Sequence, residues 1–197
     1  MSTRRDCVAG RAGGQQARRP MILLDVDGVV NRLPTLERIP RHKHEFADLS
    51  EAKVAGFPIV YSPEMARRLA GLEGNIYWLT TWEAGDLANR KIAPLLGWEP
   101  LPTIARADHD KRAGAFGWWK SSAAKALVAQ HQRPFVWLDD ELDAARKHGQ
   151  IAWLRRCGLP HLLVSPELGL LPRHLDRIEA WIASLGTEHP AAPAEEG

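Results

Sequence analysis

Two aspartates stand two residues apart in Leu24-Asp25-Val26-Asp27-Gly28, directly after the apolar run Met21–Leu24. Carboxylates so placed are costly unless something neutralises them, and Mg²⁺, which takes oxygen ligands from one or two carboxylates plus phosphate and water, can do so. Gly28 lets the chain leave the run with torsions that other residues avoid. Taken alone, the tetrapeptide also reads as an Asp-Gly turn, while the spacing of an EF-hand is missing. A second run, Asn75–Leu79, ends in Thr80-Thr81-Trp82. A hydroxyl and nearby backbone N–H groups there can hold a phosphate oxygen, although threonine is also an ordinary strand residue. Lys120, in Trp118-Trp119-Lys120-Ser121-Ser122, opens a helical stretch. A lysine there opposes the helix dipole, and a bound anion would give it a reason to be there; a solvated side chain is the alternative. A last run, Phe135–Leu138, meets Asp139-Asp140-Glu141, which repeats the demand for a cation or else caps a helix.

The elements that must position these residues follow from the patterning. Strands are expected at Met21–Val26, Phe57–Tyr61, Asn75–Thr80, Leu101–Ile104, Phe135–Leu138 and His161–Ser165. Helices are expected at Pro63–Leu72, Asp86–Leu95, Ser121–Gln130, Asp143–Cys157 (with a break at Gly149) and Pro172–Leu185. Strand–helix alternation predicts an α/β fold: a three-layer, Rossmann-like parallel sheet with helices on both faces. Ligands of such sheets sit at the carboxyl ends of the strands, which is where the acids, threonines and lysine fall.

A chain of 197 residues that is 45% hydrophobic and 25% charged is long and apolar enough for one domain with a sizeable core. A formal net charge of +2 gives no support to a wholesale nucleic-acid coat. Cys7 and Cys157 are too few for a disulfide framework or a four-cysteine zinc site, so a reducing cytoplasm is expected. The longest apolar run falls far short of the roughly 18 residues of a membrane span. Residues 1–19, with five arginines, one aspartate and little to pack, and residues 187–197 are expected to be disordered tails around a domain at 20–186.

The ordered set is more specific than its parts. Asp-x-Asp-Gly, then Thr, then Lys, then Asp-Asp resembles the four motifs of the haloacid dehalogenase-like (HAD) phosphohydrolase superfamily, over about residues 21–165. A response-regulator receiver domain uses the same residue types in another order. The strings LDVDGVVN, YWLTTWEAGDLAN and WLDDE look most like the HAD domain associated with RNA-repair proteins. The resemblance implies that Asp25 is a nucleophile forming an aspartyl-phosphate and that Asp27 is the general acid/base. It implies that Thr80 binds the transferring phosphoryl group and that Lys120 neutralises it and orients Asp25. Mg²⁺ would be held by Asp25, the backbone carbonyl of Asp27, and Asp140, with Asp139 a ligand or a support behind the ligands.

Caps over the site select substrates in that superfamily, and here only a short flap, about residues 29–56, has room to serve. It carries Arg32, Arg38, Arg41, His42, Lys43 and His44, which read either as a solvated loop or as contacts to a phosphorylated substrate. Arg38, Arg41 and Lys43, with Thr81 and Trp82, are the candidate substrate-binding residues. The Asp108-His109-Asp110 triplet reads as surface. Trp78, Trp137, Trp153 and Trp181 are expected in the core, whereas Trp82, Trp118 and Trp119 flank the motifs, either packing behind the loops or stacking a base. The expected function is a Mg²⁺-dependent phosphatase acting on nucleic-acid ends or nucleotides, with no membrane and no obligate protein partner. Its alternatives are a small-metabolite phosphatase and a non-catalytic phosphate- or partner-binding module.

Overall fold

Every residue of Met21–Leu24 (β1) is buried, as a strand covered on both faces must be. In the computed structural model, which describes residues 19–32, 48–109, 118–167 and 169–187, β1 lies inside a four-stranded parallel sheet. Its neighbours are Asn75–Trp78 (β4) on one side and Phe135–Leu138 (β5) on the other, with His161–Val164 (β6) beyond β5. Leu24 is in register with both Trp78 and Leu138. The ladder continues past the strand ends, where Asp25 N–H donates to the Leu138 carbonyl at 3.0 Å and Asp139 N–H to that of Val164 at 3.1 Å.

The two-residue side-chain period of a strand divides the core. Ile22, Leu24, Val136 and Leu138 face one apolar cluster, which contains Pro63–Ala70 (α1), the short Ala93–Leu95 (α2) and Pro172–Thr187 (α6). Met21, Leu23, Phe135 and Trp137 face the other, with Trp119–His131 (α3), Leu142–Lys147 (α4) and Leu154–Cys157 (α5). The three-layer α/β architecture is therefore the one the alternation predicts. On the outer surface, Arg68 of α1 ties to Asp176 and Glu179 of α6 at 2.8 and 2.9 Å.

Several elements depart from expectation. Leu101–Ile104 makes only an isolated bridge, Trp78 with Thr103; Pro100 and Pro102 lack the N–H that a ladder needs. The single helix expected over Asp86–Leu95 is a 3₁₀ segment at Thr81–Asp86, a π turn at Ala88–Ile92, and α2. Pro94 cannot donate to the carbonyl four residues back, which favours the wider turn before it. The break expected within Asp143–Cys157 is present: α4 and α5 are separated at Gly149, whose φ is +70°. Phe57–Tyr61 (β3) is a strand, but not of the main sheet: it pairs antiparallel with Ser50–Val54 (β2) in a separate hairpin. Of the tails expected at 1–19 and 187–197, all but Arg19 and Thr187 lie outside the described residues, and Thr187 ends α6; flap positions 33–47, with Arg38, Arg41, His42, Lys43 and His44, and also Asp110, lie outside them too.

Candidate active site

Three adjacent parallel strands end in polar residues at the same edge of the sheet. β1 runs into Asp25, β4 into Thr80 and β5 into Asp139, and the in-register pairing of β1 with β4 and β5 places these ends side by side. From β1 the chain goes first to β4 and later to β5 on the opposite side. That makes the carboxyl end of β1 the switch point, the place where ligands of such sheets bind.

Lys120, in the first turn of α3, reaches this edge and is only 2% exposed. Its Nζ donates to Asp25 Oδ2 and, at 2.8 Å, to Asp139 Oδ2. It also lies 3.8 Å from the exposed Glu141 carboxylate and 5.6 Å from the Trp118 ring centroid. A lysine in a helix's first turn, unfavourable by the dipole alone, is thus held by two buried carboxylates. Burial works against its charge, but Asp25 and Asp139 outweigh burial and hold the ammonium above the ordinary lysine range.

The carboxylates remain in excess. Asp25, Asp139 and Asp140 bring ligand oxygens within 4.8 Å of one another. Burial pushes all three upward: Asp25 in direction, against the pull of Lys120 and hydrogen bonds that include one from Thr80; Asp139 to about 7 and Asp140 to about 6, each further raised by Asp25. A cluster of hard oxygen donors with surplus negative charge fits a Mg²⁺ ion. Within it the two neighbours differ. Asp139 is fully buried, accepting from Lys120 on one oxygen and from the Glu141 N–H at 2.9 Å on the other. The half-buried Asp140 carboxylate lies against Gly28, where any Cβ would collide with it. Gly28, with φ of +69°, is therefore required twice, by its torsion and by the close approach of Asp140.

Asp27 points elsewhere. Its Oδ1 accepts from Asn31 Nδ2 and its Oδ2 from the indole N–H of Trp82, both at 2.8 Å. Its side chain is not part of the metal-capable group of Asp25, Asp139 and Asp140. The same Asn31 accepts from the Val60 N–H of β3 at 2.9 Å, so one side chain joins the acid to the hairpin. Sequence reasoning missed Asn31; the signal was a polar residue four positions after Asp27, immediately after two valines. Trp82 is buried and its N–H is committed to Asp27, which leaves little of its ring for a base to stack on. Thr80 is fully buried, caps the 3₁₀ segment through the Trp82 N–H at 3.3 Å, and donates to Asp25. Thr81 is exposed beside it. Replacing Trp82 with Phe keeps the buried ring and deletes one donor to Asp27. With Asp27 in the acid–base role that the sequence resemblance implies, kcat on a phosphomonoester is expected to fall about tenfold to a hundredfold, part of the 10²–10⁴ that a positioned acid–base group supplies, with KM little changed. Steady-state kinetics on the two proteins checks this, and a change confined to KM would refute the positioning role.

A family model described as the HAD domain in Swiss Army Knife RNA repair proteins matches residues 21–175. No curated protein and no solved structure gives a match to the chain. No described helix is long and apolar enough to cross a membrane.

Proposed function

The chain belongs to the family of HAD domains in Swiss Army Knife RNA repair proteins, and on that premise we propose that it is a Mg²⁺-dependent phosphatase working through an aspartyl-phosphate, with nucleic-acid ends or nucleotides as substrates. The observation that carries this reading is the Lys120 bridge between Asp25 and Asp139 inside an acidic cluster that one lysine does not neutralise. Asp25, Asp140 and the Asp27 carbonyl would hold Mg²⁺, which supplies charge neutralisation and orients the phosphoryl oxygens; Asp139 would act chiefly by fixing Lys120.

In the first half-reaction an Asp25 carboxylate oxygen attacks phosphorus while the bond from phosphorus to the leaving oxygen breaks, and Asp27 gives that oxygen its proton. In the second, the Asp27 carboxylate takes a proton from water, the water oxygen attacks the phosphorus of the acyl phosphate, and Asp25 is regenerated as phosphate departs. Thr80 and Thr81 would bind phosphoryl oxygens. Asn31 and Trp82 hold Asp27 on the leaving-group side through both half-reactions. Arg38, Arg41 and Lys43 are proposed to contact phosphates flanking the scissile one.

The test is phosphate release from a panel of nucleotides, 5′- and 3′-phosphorylated oligonucleotides and sugar phosphates. Release should stop in EDTA and return with Mg²⁺. KM for an oligonucleotide should rise with added salt more steeply than KM for a mononucleotide, because each neutralised flanking phosphate releases counterions. Metal-independent release would refute the mechanism, and preference for sugar phosphates would refute the substrate class.

A further inference from the structure

The proposed leaving group departs on the side of Asp27, so the residues around Asp27 should read its identity. Trp82 has neither a free N–H nor an open face to do this. The exposed aromatic ring among the described residues is Phe57, 63% accessible, and it lies against Trp82 with ring centroids 5.9 Å apart and planes at 76°.

Its position is built rather than accidental. Val54 pairs with Phe57 across a two-residue turn, Ala55-Gly56, whose φ values of +50° and +90° close the hairpin tightly. Cross-strand partners share a face, so Phe57 lies on the inner face of the hairpin with Val54 and Ile59. Those two are buried against the body, while Phe57, at the tip, extends past it. The hairpin is fixed at its base by two contacts to the loop that carries Asp27: Val60 N–H to Asn31 Oδ1 at 2.9 Å, and Arg32 N–H to the Val60 carbonyl at 2.6 Å. The accessible ring is thus one indole's width from the acid and is held to it through Asn31. An apolar side chain so exposed and so placed gains from a flat partner, and a nucleobase supplies one whatever its sequence.

Resting on the phosphatase reading above, we propose that Phe57 is the stacking platform for the base borne by the leaving group, which makes the substrate a nucleotide or a nucleic-acid end. Trp82 backs the platform edge-on, and the general acid/base lies next to it.

The experiment compares the full-length parent with Phe57→Ala and Phe57→Trp, all in Mg²⁺. The readout is the ratio of kcat/KM for adenosine 3′- or 5′-monophosphate, whichever is turned over better, to kcat/KM for glycerol phosphate. The ratio should fall about tenfold in Phe57→Ala, mostly through KM, and recover in Phe57→Trp. An unchanged ratio, or equal losses on both substrates, would overturn the platform while leaving the phosphatase reading intact. A second arm is independent of turnover: both adenosine monophosphates are titrated into Asp25→Asn with and without Phe57→Ala. A dissociation constant about tenfold weaker in the double variant supports the platform even if hydrolysis is never seen, in which case only the phosphatase reading fails. Equal affinities, or no binding to either protein, overturn it.

Discussion

Replacing Asp25 with Asn should abolish turnover of every phosphomonoester the parent accepts, by roughly 10⁴-fold or more, the scale on which loss of a catalytic nucleophile is felt. The amide is nearly isosteric but is a poor nucleophile and a weaker ligand, so both the covalent step and the metal site suffer. Melting temperature separates this from misfolding. Burial raises Asp25 despite Lys120, which means the metal-free fold disfavours the ionised carboxylate at that position. Neutral asparagine removes that cost, and Lys120 keeps Asp139 as its partner. Metal-free Asp25→Asn should therefore melt no lower than the parent at neutral pH. Retained turnover would end the covalent mechanism, while a fall of many degrees would leave the activity loss uninterpreted and show that Asp25 is structural.

Asp25 was legible in the sequence because strand ends advertise themselves. A run such as Met21–Leu24 or Phe135–Leu138 is apolar throughout only when both faces are covered, so the first acid after it marks the sheet's edge, as Asp25 and Asp139 do. Lys120 could be read by the opposite logic, as a charge in the wrong place for its helix. The hairpin was not legible in the same way. Ser50–Val54 alternates exposed and covered positions with serine, glutamate and lysine among its five residues, so nothing apolar announces it, and β3 read as one more strand of the main sheet. The clamp on Asp27 was hidden for another reason: Trp82 lies 55 positions away in sequence, and no local pattern tells an indole that stacks from one that donates. Even the Leu101–Ile104 run misled on chemistry that was visible, since Pro102 within it withholds an N–H that a regular ladder uses.

Lys120→Met should cost the metal-free protein about 3–5 kcal/mol at pH 8, the usual penalty for removing one partner of a buried ion pair. For a chain of this size that is a fall of order 10 °C in melting temperature. Methionine keeps a flexible apolar stem beneath Trp118 and deletes only the charge that faces Asp25 and Asp139. The dependence on pH makes the cause identifiable. In the unfolded chain an aspartate ionises near pH 4, whereas in the folded parent Asp139 holds its proton to about 7 and Asp140 to about 6. Between those limits the native state binds more protons, so parental stability should decline as pH rises from about 4 to 7 and then level off. Lys120 is the group that pulls all three carboxyls down, so removing it shifts their folded values higher and carries the decline past pH 7. The gap between the two melting curves should accordingly be smallest near pH 5 and widest near pH 8. Millimolar Mg²⁺ should raise the parental melting temperature at pH 8 and much less at pH 5, because binding must displace the protons that the cluster retains in acid. Scanning calorimetry at the two pH values, with and without Mg²⁺, measures all four quantities. A gap of equal size at both would mean that the lysine serves packing alone, and that the carboxylates at the edge of the sheet do not need its charge.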